Sequence, residues 1–250
     1  MTFLELTLPS PAENLAGDEA LLDWREAEGG GGILRFWQSP EPFVVVGYAN
    51  KVATEVNVKG CRENNVPVRR RCSGGGTVLQ GPGVLNYALV LPIEENSPTA
   101  TINAANRFIM ERNREALERL VQSDHPLARV SVEGHTDLAV TWNPGDVPLK
   151  FSGNAQRRKK AFLLFHGTFL LESDLDMVAQ CLATPSMQPE YRHGRSHLDF
   201  ITNLRLPAGT VKESLRTVWR ATSPLQEVPR QGIESLTRDK YATNEWNSKF

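Results

Sequence analysis

Strand-patterned and helix-patterned segments follow one another along this chain in no fixed alternation. A doubly wound or barrel design needs strict alternation, so the order favours an α+β fold: a mixed β-sheet with flanking helices. Residues 12–27 read as a helix with Leu15, Leu21, Leu22 and Trp24 as core contacts, and glycines 29–32 as a turn into a following strand. Residues 43–46, 67–71, 77–80 and 85–91 read as strands, the last closed by Pro92. In residues 101–121 the apolar positions Ile102, Ala105, Phe108, Ile109, Leu117, Leu120 and Val121 fall at helical spacing between charged ones. Residues 128–132, 138–142 and 161–171 follow as strands, with the turn Asn143-Pro144-Gly145-Asp146 ahead of Lys150. Residues 174–183 form a short helix. A final helix is expected from Thr210, where Thr210 and Glu213 fit a capping box.

No linker-like shift in composition divides the 250 residues, so one domain spanning 1–250 is expected. Lys and Arg number 28 against 29 Asp and Glu, a balance that argues against a dedicated nucleic-acid or membrane-surface protein. No run of about 18 apolar residues or signal-like N-terminus occurs, and three scattered cysteines make no disulfide framework. A cytoplasmic protein is the expectation. His193 and His197 stand four apart, but a third metal ligand is lacking and no metal site is expected.

Two short stretches carry chemistry. Residues 70–76 read Arg-Arg-Cys-Ser-Gly-Gly-Gly, in which a guanidinium precedes backbone that a phosphate or carboxylate can approach closely. It is neither a Walker loop nor a dinucleotide fingerprint. Side chains alternate along a strand, so Arg69, Arg70 and Arg71 cannot share one site; Arg71, nearest Ser73, is taken as the inward one. Residues 150–156 read Lys-Phe-Ser-Gly-Asn-Ala-Gln, a lysine followed by a small-residue turn with room for a ligand. An ammonium fixed at Lys150 would stabilise charge developing on a phosphate. Together the two stretches point to activation of a carboxylic acid. The basic run 156–160 reads as a solvated hairpin tip, and Gly167 between His166 and Thr168 as a point of close approach.

The chain resembles the lipoate–protein ligase and octanoyl (lipoyl) transferase family, which is related to the biotin–protein ligases. The resemblance runs from Asp18-Glu19-Ala20-Leu21-Leu22 through Val44-Val45-Val46-Gly47 and the 70–78 stretch to Asn86-Tyr87, Asp137-Leu138, residues 150–156, His166-Gly167-Thr168 and Thr202-Asn203-Leu204. It implies a catalytic domain like that of biotin ligases and class II aminoacyl-tRNA synthetases. It also implies that lipoate reacts with ATP and Mg²⁺ to give lipoyl-adenylate, which a lysine of a lipoyl domain or a glycine-cleavage H protein then attacks. Under the resemblance Lys150 holds the carbonyl and phosphate oxygens. Arg71, Ser73, Gly74, Gly75 and Gly76 line the acyl-adenylate pocket, with Gly153, Asn154, His166 and Thr168 opposite. Asp137 faces either the adenine side or the acceptor.

Three departures stand out: Tyr48 after Gly47 where the ligases often carry Arg, Gln80 where they often carry His, and an end at Phe250 where many continue into an accessory domain. A separate small subunit restores that part in some ligases. The transferase alternative needs a cysteine nucleophile, for which Cys72 is the candidate near the pocket; a non-catalytic lipoyl-binding or scaffold subunit is the alternative of another class.

Overall fold

The computed structural model describes residues 1–250. Its strands are β1 (Thr2–Glu5), β2 (Ile33–Trp37), β3 (Phe43–Val46), β4 (Val68–Arg70), β5 (Val78–Gln80), β6 (Val84–Pro92), β7 (Arg129–Glu133), β8 (Asp137–Thr141), β9 (Leu149–Arg158), β10 (Phe162–Leu170) and β11 (Ser223–Pro224). The helices are α1 (Pro11–Glu28), α2 (Val52–Glu55), α3 (Val58–Glu63), α4 (Ile102–Asp124), α5 (Leu175–Cys181), α6 (His197–Phe200), α7 (Ala208–Val218), α8 (Arg230–Leu236) and α9 (Asn244–Asn247). Eight strands form one sheet in the order β11-β1-β2-β6-β10-β9-β8-β7, and three form a second, β4-β3-β5. β1 runs parallel to β2 and β11, and β3 parallel to β4; the other pairings are antiparallel, so both sheets are mixed.

The period-2 alternation of the central strands separates two cores. Leu34, Phe36, Leu85, Tyr87, Leu89, Leu163 and Phe165 point to α4 and α7, where they meet Ile109, Leu117, Val211 and Leu215. Ile33, Ala88, Val90, Phe162 and Leu164 point the other way, to α1 and the segment after residue 230. Both faces are covered, which is why the central strands are buried along nearly their whole length. Helix α1 starts where its local chemistry dictates: Ser10 Oγ accepts from Glu13 N–H, and the Glu13 carboxylate accepts from Ser10 N–H.

Four local expectations need correction. Helix α7 begins at Ala208 with Pro207 as its cap, which leaves Thr210 inside the helix and the Thr210–Glu213 capping box unused. It is not the last helix, since α8 and α9 follow. Residues 152–155 are not a turn. Small polar residues favour turns locally, yet here they lie inside β9, held by pairing to β8 on one side and β10 on the other. The run 156–160 is no solvated tip either: Arg157 donates to the Cys72 carbonyl, Arg158 to those of Thr99 and Ala100, and Lys159 pairs with Asp23 at 2.6 Å.

The segment after residue 230 is tied down by Arg70. Its buried guanidinium donates to five carbonyls, those of Gly47, Tyr48 and Asn50 on one side and of Trp246 and Asn247 on the other. Glu19 of α1 adds bonds from Lys240 and the Tyr241 hydroxyl. Replacing Arg70 with Ala strands these carbonyls, and urea denaturation is expected to register a loss of about 3 kcal/mol. Arg69→Ala, whose guanidinium reaches only the Val68 carbonyl, should stay within about 0.5 kcal/mol. Equal losses for the two would refute this anchoring.

Candidate functional site

Directly paired residues of neighbouring strands share a face, so the register alone assembles the floor of a site. One row runs Trp37–Asn86–Thr168–Gly153–Asp137 across β2, β6, β10, β9 and β8. The next runs Arg35–Ala88–His166–Ala155. Helix α1 crosses above them with Leu15 and Asp18, and the second sheet closes the side with Val45, Val78 and Gln80. The cavity between them is open on one side and measures about 110 Å³.

Lys150 enters this floor through an irregularity. Leu138 pairs with Ser152 but Ala139 pairs with Lys150, so β9 carries one extra residue, Phe151, against β8. Such a bulge re-aims side chains. Here it puts Phe151 in the α4 core and brings Lys150 to the same face as Gly153. Its ammonium lies 2.8 Å from Asp137 Oδ1, and Asp137 Oδ2 accepts from the Tyr191 hydroxyl at 2.9 Å. A Cβ at position 153 would stand 3.1 Å from Lys150 Nζ, so glycine there gives the lysine its space.

The glycine loop is organised by Arg71. Its Nε donates to Ser73 Oγ and the Gly74 carbonyl, and its Nη2 to the carbonyls of Gly74 and Gly76. Asn50 takes the Gly75 carbonyl, and Tyr48 N–H takes that of Ser73. Gly75 has φ +84°, and a Cβ on Gly47 would come within 2.2 Å of the Gly75 carbonyl oxygen, so both positions require glycine. With the carbonyls all engaged, the N–H groups of Gly74, Gly75 and Gly76 have no partner in the protein. Successive free amides of this kind bind anions. Burial lowers the Arg71 guanidinium to about 10, still cationic at neutral pH.

Behind the loop lies a buried chain of polar groups. Ser73 Oγ is 2.5 Å from His166 Nε2, His166 Nδ1 is 2.9 Å from Asp18 Oδ2, and Asp18 Oδ1 is 2.6 Å from Arg35 Nη1. Burial alone would raise the Asp18 carboxyl, but Arg35 and the His166 hydrogen bond outweigh it and hold it below its ordinary value. A Cβ at Gly17 would meet Arg35 Nη1 at 2.7 Å, so glycine lets α1 settle onto this guanidinium. On the opposite face of the sheet, Trp219 donates to Asn113, Asn113 to the Tyr87 hydroxyl, and that hydroxyl to Asn154 Oδ1 at 2.6 Å. The Asn154 amide in turn donates to the Thr136 carbonyl and Ser152 Oγ. The close approach at Gly167 is therefore that of a side chain: a Cβ there would fall 1.7 Å from Asn154 Oδ1.

Of the residues singled out from sequence, Lys150, Arg71, Gly76, Asp137, Gly153, Asn154, His166 and Thr168 border one cavity. Gly74 and Gly75 are exposed beside it, and Ser73 lies buried behind His166. Cys72 does not border the cavity. It is buried in the α1 core, and desolvation with Glu19 nearby pushes its thiol up to about 12. Burial likewise raises Cys61 to about 12, and Cys181 above its ordinary value. Asp18, Arg35 and Asn86 were given no role from sequence. The available signal was an acidic residue inside the apolar stretch of α1 and an arginine inside an apolar strand, since buried ionisable groups are rare unless paired.

The lipoyl protein ligase A/B catalytic domain model matches residues 10–218. The chain belongs to this family. Among its relatives, a putative lipoate-protein ligase A of Aeropyrum pernix is 29% identical, covering 94% of this chain and 82% of its own. An octanoyltransferase LipM of Geobacillus kaustophilus is 26% identical over 99% of this chain and 97% of its own. The fold is shared with a bi-partite lipoate protein ligase of Thermoplasma acidophilum, at TM-score 0.81 and 24% identity over 99% of this chain and 95% of that one. The family thus holds ligases and acyltransferases, and this enzyme is one or the other.

Two outcomes test the geometry. Gly167→Ala drives a methyl into the pinned Asn154 amide and should cost about 1–3 kcal/mol in urea denaturation. Iodoacetamide at pH 8 should leave all three cysteines unmodified in the native protein and modify them after unfolding; rapid native labelling of Cys72 would contradict its burial.

Proposed function

We propose that this protein is an ATP-dependent lipoate–protein ligase. The carboxylate of lipoate attacks the α-phosphorus of ATP, forming the acyl-adenylate as pyrophosphate leaves. The neutral ε-amine of a lysine on a lipoyl domain or glycine-cleavage H protein then attacks the carbonyl carbon. The C–N bond forms, the bond from the acyl carbon to the phosphate oxygen breaks, and AMP departs.

The observation that carries this reading is the composition of the cavity. Lys150 and Gly76 border it, the unpartnered amides of Gly74 and Gly75 lie beside it, and no cysteine borders it. A fixed ammonium and preorganised N–H donors stabilise the negative charge that builds on phosphate and carbonyl oxygens. Lys150 is held by Asp137 in the resting protein and would exchange that carboxylate for the phosphate. Mg²⁺ commonly binds through one or two carboxylates plus substrate phosphates. Asp137 is the carboxylate beside Lys150, so the donor set fits a Mg²⁺ that arrives with the nucleotide.

The second reading is octanoyl transfer from an acyl carrier, favoured by the match to an octanoyltransferase LipM over nearly the whole of both chains. Its thioester chemistry needs an accessible thiolate, and the three thiols are buried.

Intact-mass analysis of a lipoyl domain separates the two. With free lipoate and Mg-ATP, a lipoyl mass gain is expected; a gain only from octanoyl-carrier protein would replace the ligase reading with the transferase one. A gain that appears only when a separate accessory subunit is added would make this chain one part of a two-part ligase. Lys150→Ala should lower the ATP-dependent gain at least about 100-fold while leaving the circular dichroism spectrum unchanged.

A further inference from the structure

The buried chain from Arg35 to Arg71 has a direction that its members enforce. Arg35 and Arg71 can only donate, and the ionised Asp18 can only accept. Asp18 Oδ1 takes Arg35 Nη1–H, so Oδ2 takes the proton-bearing nitrogen of His166, which is Nδ1. In the neutral imidazole Nε2 is then the acceptor for the Ser73 hydroxyl proton. The Ser73 oxygen keeps its lone pairs for Arg71 Nε–H, and Arg71 Nη2 donates to the Gly74 and Gly76 carbonyls. Those carbonyls turn inward and the glycine amides stay free. Each link is 0–8% exposed, so water does not substitute for a missing partner.

We propose that Asp18, with Arg35 behind it, is a positioning residue of the acyl-activating site, acting through the His166 tautomer on Ser73 and the glycine loop. The inference rests on the proposed ligase reading of that site. Its core is a long-range dependence: α1 and β2 decide how the anion-binding amides are presented, although neither contributes an atom to them.

Asp18→Asn tests it. An asparagine that gives its oxygen to Arg35 turns its NH₂ toward His166 Nδ1, which must then be unprotonated, and the ring proton moves to Nε2. That proton points at Ser73 Oγ, and the Ser73 hydroxyl loses its acceptor. A carboxylate that fixes an imidazole tautomer from behind is a known device, and its loss leaves geometry while removing rate.

The tautomer is read directly from long-range ¹⁵N–¹H correlations of the imidazole ring. His166 should carry its proton on Nδ1 in the wild type and on Nε2 in Asp18→Asn. Lipoyl transfer by the variant should fall roughly 10–100-fold, the effect typical of groups that orient a site residue from outside. If Asp18→Asn does not fold with Arg35 left unpaired, the double variant Asp18→Asn/Arg35→Gln removes the stranded charge and is measured in the same way. A folded variant that keeps the Nδ1–H tautomer, or that changes tautomer with turnover intact, overturns the proposal. Absence of all adenylation by the wild type is a different result: it removes the ligase reading, while the tautomer measurement still decides the directed chain.

Discussion

Two adjacent guanidiniums, Arg70 and Arg71, both bond backbone carbonyls rather than carboxylates. Arg70 fastens the 47–50 turn to residues 246 and 247, and that turn holds the Ser73 and Gly75 carbonyls through Tyr48 N–H and the Asn50 side chain. Arg71 collects the carbonyls of Gly74 and Gly76. A glycine-rich loop has high conformational entropy when free. Here almost every acceptor along it has a fixed donor, so one face of the loop is committed and the other is left for a ligand.

The charge distribution follows the same logic. Around the cavity and directly behind it stand three cations, Arg35, Arg71 and Lys150, against two carboxylates, Asp18 and Asp137. The surplus of one positive charge lies beside the loop that carries the free amides, which suits an anion. Pairing each carboxylate to a cation keeps the buried charges from being isolated, a condition that low-dielectric surroundings make strict.

Much of this was legible in the sequence, and the limits have physical causes. The central strands were readable because their apolar content is high and their ends are marked by Gly, Pro or charged residues. The glycine loop and Lys150 were readable because anion chemistry needs those residue types close together. The Asp18–His166 contact joins residues 148 apart, and nothing local announces it. Residues 152–155 looked like a turn because turn propensity is a local property, whereas strand pairing on both sides is not. Thr210 and Glu213 have the right spacing for a cap, but Pro207 starts the helix earlier. The segment after residue 230 has weak periodicity, and its hold on the fold comes from Arg70 and Glu19 in distant parts of the chain.

The Arg70 anchor also has a bearing on biogenesis. A ribosome makes the chain from its N-terminus, so the glycine loop, α1 and the central sheet all emerge well before residues 246 and 247. Until those two are released from the exit tunnel, Arg70 has acceptors on only one of its two sides. The nascent domain can collapse around its cores, but the turn that braces the glycine loop is fully seated only after translation has passed them. The full set of acceptors around Arg70 is thus completed among the last events of synthesis.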